Sequence, residues 1–382
     1  MGRATEVERA RLHETFAALC RIASPSGRER PCADWVMAEL ETMGLAVTED
    51  ESARAAGSDA GNLVARIPGQ APGSILICAH LDTVPPVAPI EPVLIGGYWE
   101  NANQGILGAD NKSAVAVALE LARRFSEPED RPPIGLEFLF TVCEEISLRG
   151  SRAFDVSSLQ SAFGYVFDHA TPIGEVVAAS PTHYRIVAEF RGRAAHAGVR
   201  PEVGRSAILA AARAIANLRL GRVDDETTAN VGLIDGGTAI NVVPERCRVE
   251  SEVRSLDEDR AAALATETVD HLQDAADATE CDLDLTVERM FRGYRTKPKA
   301  QETVVAERAL RACGYDPKPI NSGGASDANS FRTAGFACSC LADGTERNHE
   351  PGERISAQNL EDLLDVAFSL VDEAAVELGP AP

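Results

Sequence analysis

The side chains of this 382-residue chain that could do chemistry fall at the ends of apolar runs. Ile75-Leu-Ile-Cys-Ala-His80-Leu-Asp82 puts an imidazole two residues before a carboxylate, the form of a metal ligand whose other ring nitrogen is held by an acid. Gly105-Ile-Leu-Gly-Ala-Asp110 sets a carboxylate in a glycine-rich turn before an alanine-rich stretch, where it can act as a helix N-cap or as a ligand. Phe138-Leu-Phe-Thr-Val-Cys-Glu144-Glu145 closes an apolar run with two adjacent acids, which repel unless a cation intervenes or one keeps its proton. Gly164-Tyr-Val-Phe-Asp168 repeats the pattern, and Arg347-Asn-His349-Glu-Pro-Gly-Glu353 supplies a second imidazole. Any one of these is ordinary surface chemistry. Taken in order they form a mixed nitrogen and oxygen set suited to zinc or another first-row dication.

The elements around these residues predict where they sit. From Gly61 to about Ala178, strand-like runs (62–67, 74–79, 136–142, 163–167) alternate with a helical one (113–125). That alternation predicts a mainly parallel sheet flanked by helices, with ligands at the carboxyl edge of its strands. Helical spacing also marks 6–20, 29–43, 302–313 and 358–377. From about Ser180 the order becomes β-α-β-β-α-β, a ferredoxin-like two-layer sandwich. The expected organisation is a three-layer α/β/α catalytic domain, residues 1–179 and 295–382, with an α+β lid or dimerisation domain inserted at 180–294.

Composition excludes several classes. A net charge of −22 argues against a nucleic-acid partner, which needs a basic surface to release counterions. No run approaches the roughly 18 apolar residues of a membrane span, and the charged start lacks a secretory apolar segment, so a cytoplasmic address is expected. Nine scattered cysteines predict reduced thiols rather than a disulfide framework.

His80-x-Asp82, Gly108-Ala-Asp110-Asn-Lys112, Glu144-Glu145, Asp168, Ala195-His196-Ala-Gly198 and Asn348-His349-Glu350 together resemble the di-zinc exopeptidase family of peptidase T, carboxypeptidase G and the aminoacylases, over nearly the whole chain. The resemblance implies two divalent ions, zinc with cobalt or manganese as alternatives, held by His80 and Asp168 on one side and by Glu145 and His349 on the other. Asp110 would bridge them, followed by a cis peptide to Asn111, and Asp82 would orient His80. Glu144 would be the general base for a water held between two cations roughly 3.5 to 4 Å apart. His196 would donate to the oxyanion, in many relatives from the partner subunit of a dimer. Asn241 and Arg254 resemble positions that hold the substrate, although a strand arginine is as readily a surface group. Gly323-Gly324-Ala-Ser-Asp327 is expected to form a substrate-facing turn, with Asp327 capping the next helix.

Asp168, where the deacylases carry Glu, and the run Asp168-His-Ala-Thr-Pro-Ile-Gly174 resemble the peptidase T-like branch and imply an aminopeptidase acting on short peptides. His169 departs from the small residue expected there. An N-acyl amino acid deacylase is the alternative, and a non-catalytic binder that kept the metals is a further one.

Overall fold

The computed structural model describes residues 2–127 and 131–379. The chain divides into two compact units, Met1–Ala178 with Thr296–Ser322 and Ser326–Pro382, and Ala179–Arg295 with Gly323–Ala325.

In the first unit the strands Ser74–His80 and Gly135–Thr141 are buried along their whole length and pair in parallel. Strands so buried, their interiors apolar here apart from Glu137, which pairs with Arg66, belong in the middle of a sheet covered on both faces. Phe163–Phe167 runs parallel on the other side of Ser74–His80, and Cys338–Leu341 runs parallel to it in turn. The edges are antiparallel, with Leu63–Ile67 and Val47–Glu49 on one side and Glu175–Ser180 on the other. Helices Glu6–Arg21, Arg30–Thr42, Ala109–Ser126, Gln301–Ala312 and Ala357–Leu378 share one apolar core with this sheet, giving the three-layer α/β/α arrangement.

Register decides what gathers at the sheet's edge. His80 lies opposite Thr141, Cys78 opposite Val166, and Leu341 opposite Phe167, so these parallel strands end together. The residues that follow each strand emerge at one carboxyl edge, where open α/β sheets bind ligands. A small second sheet, in the order Thr345–Glu346, Arg354–Ser356, Tyr98–Asn101, Pro92–Ile95, frames the loop that carries His349. Its strands of two to four residues are too short to leave a periodic signal in the sequence.

The second unit is an antiparallel sheet in the order Gly221–Asp224, Thr227–Gly236, Arg246–Ser255, Thr182–Arg191, Asp282–Phe291. Numbered along the chain without the short edge strand, that is the 4-1-3-2 order of a ferredoxin-like fold. Along Arg246–Ser255 alternate residues are buried, the period-two signature of a half-covered sheet. Helices Ala207–Asn217 and Glu258–Ala278 cover that face, packing against Ile186, Ala188, Phe190 and Val249. Gly323–Ala325 joins this unit from far along the chain, because Arg254 Nη1 donates to Gly323 O at 3.1 Å and Ser180 Oγ to Gly324 O at 2.9 Å.

Candidate metal centre

His80 is the last residue of its strand and is buried. Its Nε2 lies 3.1 Å from Asp110 Oδ1 and 3.8 Å from Asp168 Oδ1. His349 Nε2 lies 3.2 Å from Asp110 Oδ2 and 3.0 Å from Glu145 Oε2. Two groups result, His80 with Asp110 and Asp168, and Asp110 with Glu145 and His349, each within 4.8 Å of one another. Asp110 belongs to both, one carboxylate oxygen turned to each. Ligands of a four-coordinate ion at about 2.0–2.1 Å stand roughly 3.3 Å apart, close to the spacings here.

Whether the donors fit dications is tested by their unused oxygens. Glu145 Oε1 and Asp168 Oδ2 are buried and have no hydrogen-bond partner among the described residues. A buried polar atom left so costs free energy unless another ligand satisfies it. The donor set of two imidazoles and three carboxylates therefore fits two dications. The protein's own electrostatics reflect the crowding. Burial raises Glu145 to about 7, raises Glu144 well above an ordinary glutamate, and raises Asp168 from the usual aspartate value. Hydrogen bonds to Asp110 and Glu145 lift His349 to about 10. Burial opposes protonation of His80, yet Asp110, Asp168 and Asp82 together raise it well above an ordinary histidine.

Local structure explains why these groups hold their places. Asp110 caps nothing; the helix Ala109–Ser126 is kinked at Asp110 and Asn111, and the peptide between them is cis, as the resemblance implies. Asn111 Nδ2 donates to Phe167 O at 2.5 Å, and Asn348 Nδ2 to Asp110 Oδ2 at 2.9 Å. Cys143, Ser147, Leu148, Arg347 and His349 all have positive φ, and backbone strain of this kind outside glycine gathers at functional sites.

Asp82 departs from the simple His-x-Asp picture. His80 Nδ1 lies 2.9 Å from the main-chain carbonyl of Asp82 and 3.5 Å from its Oδ1, so the nearer acceptor is the backbone. The carboxylate accepts from Glu144 N at 2.9 Å, Glu145 N at 3.1 Å and Ser26 Oγ at 2.6 Å. Its larger task is to fix the turn that carries the two glutamates. Glu29, which in the sequence marks only the start of a helical run, completes that turn by accepting from Cys143 N at 3.1 Å. Asp327 corrects an expectation. The cap of the helix Asp327–Thr333 is Ser326, and Asp327 is buried beneath the sheet edge, accepting from Thr141 Oγ1 at 2.5 Å.

The other candidates sit in the second unit in two places. His196 is exposed, and Gly198 N donates to its Nδ1 at 3.1 Å, which leaves the ring proton on Nε2. Asn241 is beside it through Ala197 N donating to Asn241 O at 2.9 Å. Arg254 lies with Gly323 and Gly324, and the carboxylate it holds is that of Glu252, through two nitrogens at 3.1 and 3.2 Å.

Comparison with known proteins follows the same lines. Residues 183–280 match the peptidase dimerisation domain and residues 62–171 match peptidase family M28. The aminopeptidase PepT of Bacillus cereus has a solved structure 33% identical, covering 96% of this chain and 99% of that one, with a TM-score of 0.85. The chain belongs to the peptidase T family of metal-dependent exopeptidases. A tripeptidase from Staphylococcus aureus superposes on this peptidase with a TM-score of 0.90 at 32% identity, over 96% and 99% of the two chains. A probable carboxypeptidase of Aspergillus terreus is 29% identical to the peptidase over 80% of this chain and 69% of its own.

Proposed function

We propose that this peptidase is an aminopeptidase that removes the N-terminal residue from short peptides, tripeptides foremost. The observation that carries the reading is the doubled ligand set around Asp110, with a buried Glu144 next in sequence to the ligand Glu145. The full-length likeness to an aminopeptidase and a tripeptidase supports the choice of substrate. His80 and Asp168 would hold one cation, Glu145 and His349 the other, and Asp110 both. Zinc suits these donors, with cobalt and manganese as substitutes. When bound, the ions polarise the scissile carbonyl and acidify the attacking water.

The chain's own groups do the rest. Glu144 takes the proton from the attacking water and returns it to the leaving amine. Asp82 keeps Glu144 in place through its main-chain N–H. His196, with its proton on Nε2, is assigned as donor to the oxyanion. Asn241, Arg254 and Gly324 are assigned to substrate binding.

The match to a dimerisation domain supports a homodimer formed through the second unit, as do the exposed Ile208, Leu209, Leu233 and Ile234 on its surface. No helix among the described residues is long and apolar enough to cross a membrane, and a cytoplasmic site of action is proposed with the substrate class.

A carboxypeptidase reading is supported by the names of several fungal relatives, each a probable carboxypeptidase. Hydrolysis of free, N-acetylated and C-amidated tripeptides, and of N-acyl amino acids, with and without chelator, separates the readings. The aminopeptidase cleaves free and amidated tripeptides and loses this activity to chelator. Preference for N-acetylated peptides would make it a carboxypeptidase, and turnover of acyl amino acids alone a deacylase.

A further inference from the structure

Glu353 is a deeply buried acid near the metal centre that no step above employs, at 1% exposure. Its carboxylate meets no cationic side chain among the described ion pairs. Instead Oε2 accepts from Leu107 N and Gly108 N, and Oε1 from Asp110 N, each at 2.9 Å. Removing a carboxylate from water is costly, and here the return is three main-chain hydrogen bonds to a single turn. Leu107 and Ala109 in that turn are themselves buried, and Gly108 has a φ of +77°. With the helix kinked after Ala109, these amides have no helical partner, and no nearer side chain caps them.

The other end of the contact matters equally. Glu353 lies four residues after His349, in a loop with positive φ at Arg347, His349 and Gly352. It is also the residue before the strand Arg354–Ser356, which pairs with Tyr98–Asn101 and fixes where the loop ends. Gly352 N adds a longer contact to Gly105 O at 3.4 Å. The carboxylate of Glu353 thus joins two segments far apart in sequence, one bearing Asp110 and the other His349. Asp110 is gripped by its own N–H, which leaves both of its carboxylate oxygens to His80, His349 and Asn348.

We propose that Glu353 is a positioning residue of the metal centre: by holding the Leu107–Asp110 turn against the His349 loop it sets the separation of Asp110 and His349, and with it the affinity for both cations. This rests on Asp110 being the shared ligand. Loss of Glu353 should weaken both cations together, because the group it positions belongs to both sets.

The test is cobalt binding to the purified full-length protein, followed by chelator competition and by the visible spectrum of the bound ion. Glu353→Gln keeps the size but offers one acceptor oxygen in place of two, so an NH₂ must face an N–H. Affinity for both ions is expected to fall about 10- to 100-fold, the usual effect of changing a group that orients a ligand, and the cobalt spectrum to shift. A lower melting temperature with wild-type affinity and spectrum in the folded protein would reduce Glu353 to a structural role and overturn the proposal. Asp110→Asn is the control. If it too keeps both ions, the assignment of Asp110 is wrong; if it loses them while Glu353→Gln does not, only the proposal for Glu353 fails. Should Glu353→Gln not fold by circular dichroism, Glu353→Asp keeps both oxygens on a shorter arm. It is read the same way, with a smaller loss expected and unchanged affinity again decisive against the proposal.

Discussion

The two units keep their chemistry-bearing groups under opposite conditions. In the first, His80, Asp110 and Glu144 are buried at the carboxyl edge of a parallel sheet, each fixed by main-chain or amide hydrogen bonds. In the second, His196 and Asn241 are exposed on loops, and Arg254 is already engaged by Glu252. Buried acids clustered without Lys or Arg are stable only with a cation or a proton among them, so such a cluster specifies a reaction class. Exposed loop residues cost little and commit to little. They can choose a substrate without defining what is done to it.

That contrast can be broken by mutation. The largest effect is expected from Glu144→Ala, which should lower kcat on tripeptides by about 10²- to 10⁴-fold while metal analysis still finds both ions. Loss of metal with the activity would move Glu144 into the ligand set. His196→Ala should cost about 10²- to 10³-fold in kcat with metal content unchanged, the signature of a missing oxyanion donor. A change confined to KM would make it a binding residue instead. Arg254→Ala should raise KM for tripeptides about 10-fold, near the lower end of a charged hydrogen bond, and leave C-amidated substrates unaffected. If Glu252 alone is its partner, KM will not move.

The smallest effect sharpens the comparison from outside the site. Burial opposes ionisation of Glu8, but Arg124, bonded at 2.6 Å to each of its oxygens, and Thr5 N at 2.7 Å lower its pKa to about 2. The folded state thus prefers the ionised acid. Its contribution is complete above the unfolded value of about 4.5 and is lost as pH falls toward 2. For a partly solvated pair this amounts to no more than about 1 kcal/mol. The melting temperatures of wild type and Glu8→Gln should differ at pH 6 and converge as the pH is lowered below 4.5.

The parallel core was readable because Ile75 to Ala79 is apolar without interruption and Leu136 to Phe140 is apolar but for Glu137, and because an imidazole or a pair of acids stands at the end of each run. The order of the second unit was readable from its alternating strands. What escaped depends on long-range contact. Glu353 and Asp110 are separated by 243 positions, and nothing local marks the first as a partner of the second. Asp327 follows a serine at a helix start, where either residue could serve as the cap; only the nearby Thr141 hydroxyl shows why it turns inward. In His80-Leu-Asp82 the spacing suggested a carboxylate on the imidazole, but at this strand end the Asp82 carbonyl is the nearer acceptor and the side chain turns to the Glu144-Glu145 turn.

The central claim is that one shared carboxylate and four further ligands hold two cations without which no peptide is cleaved. Chelator-stripped protein titrated with zinc, counting bound ions while tripeptide hydrolysis is followed, tests it directly. Activity should be absent at the start and return in full at about two ions per chain. Full activity in the stripped protein would contradict the account.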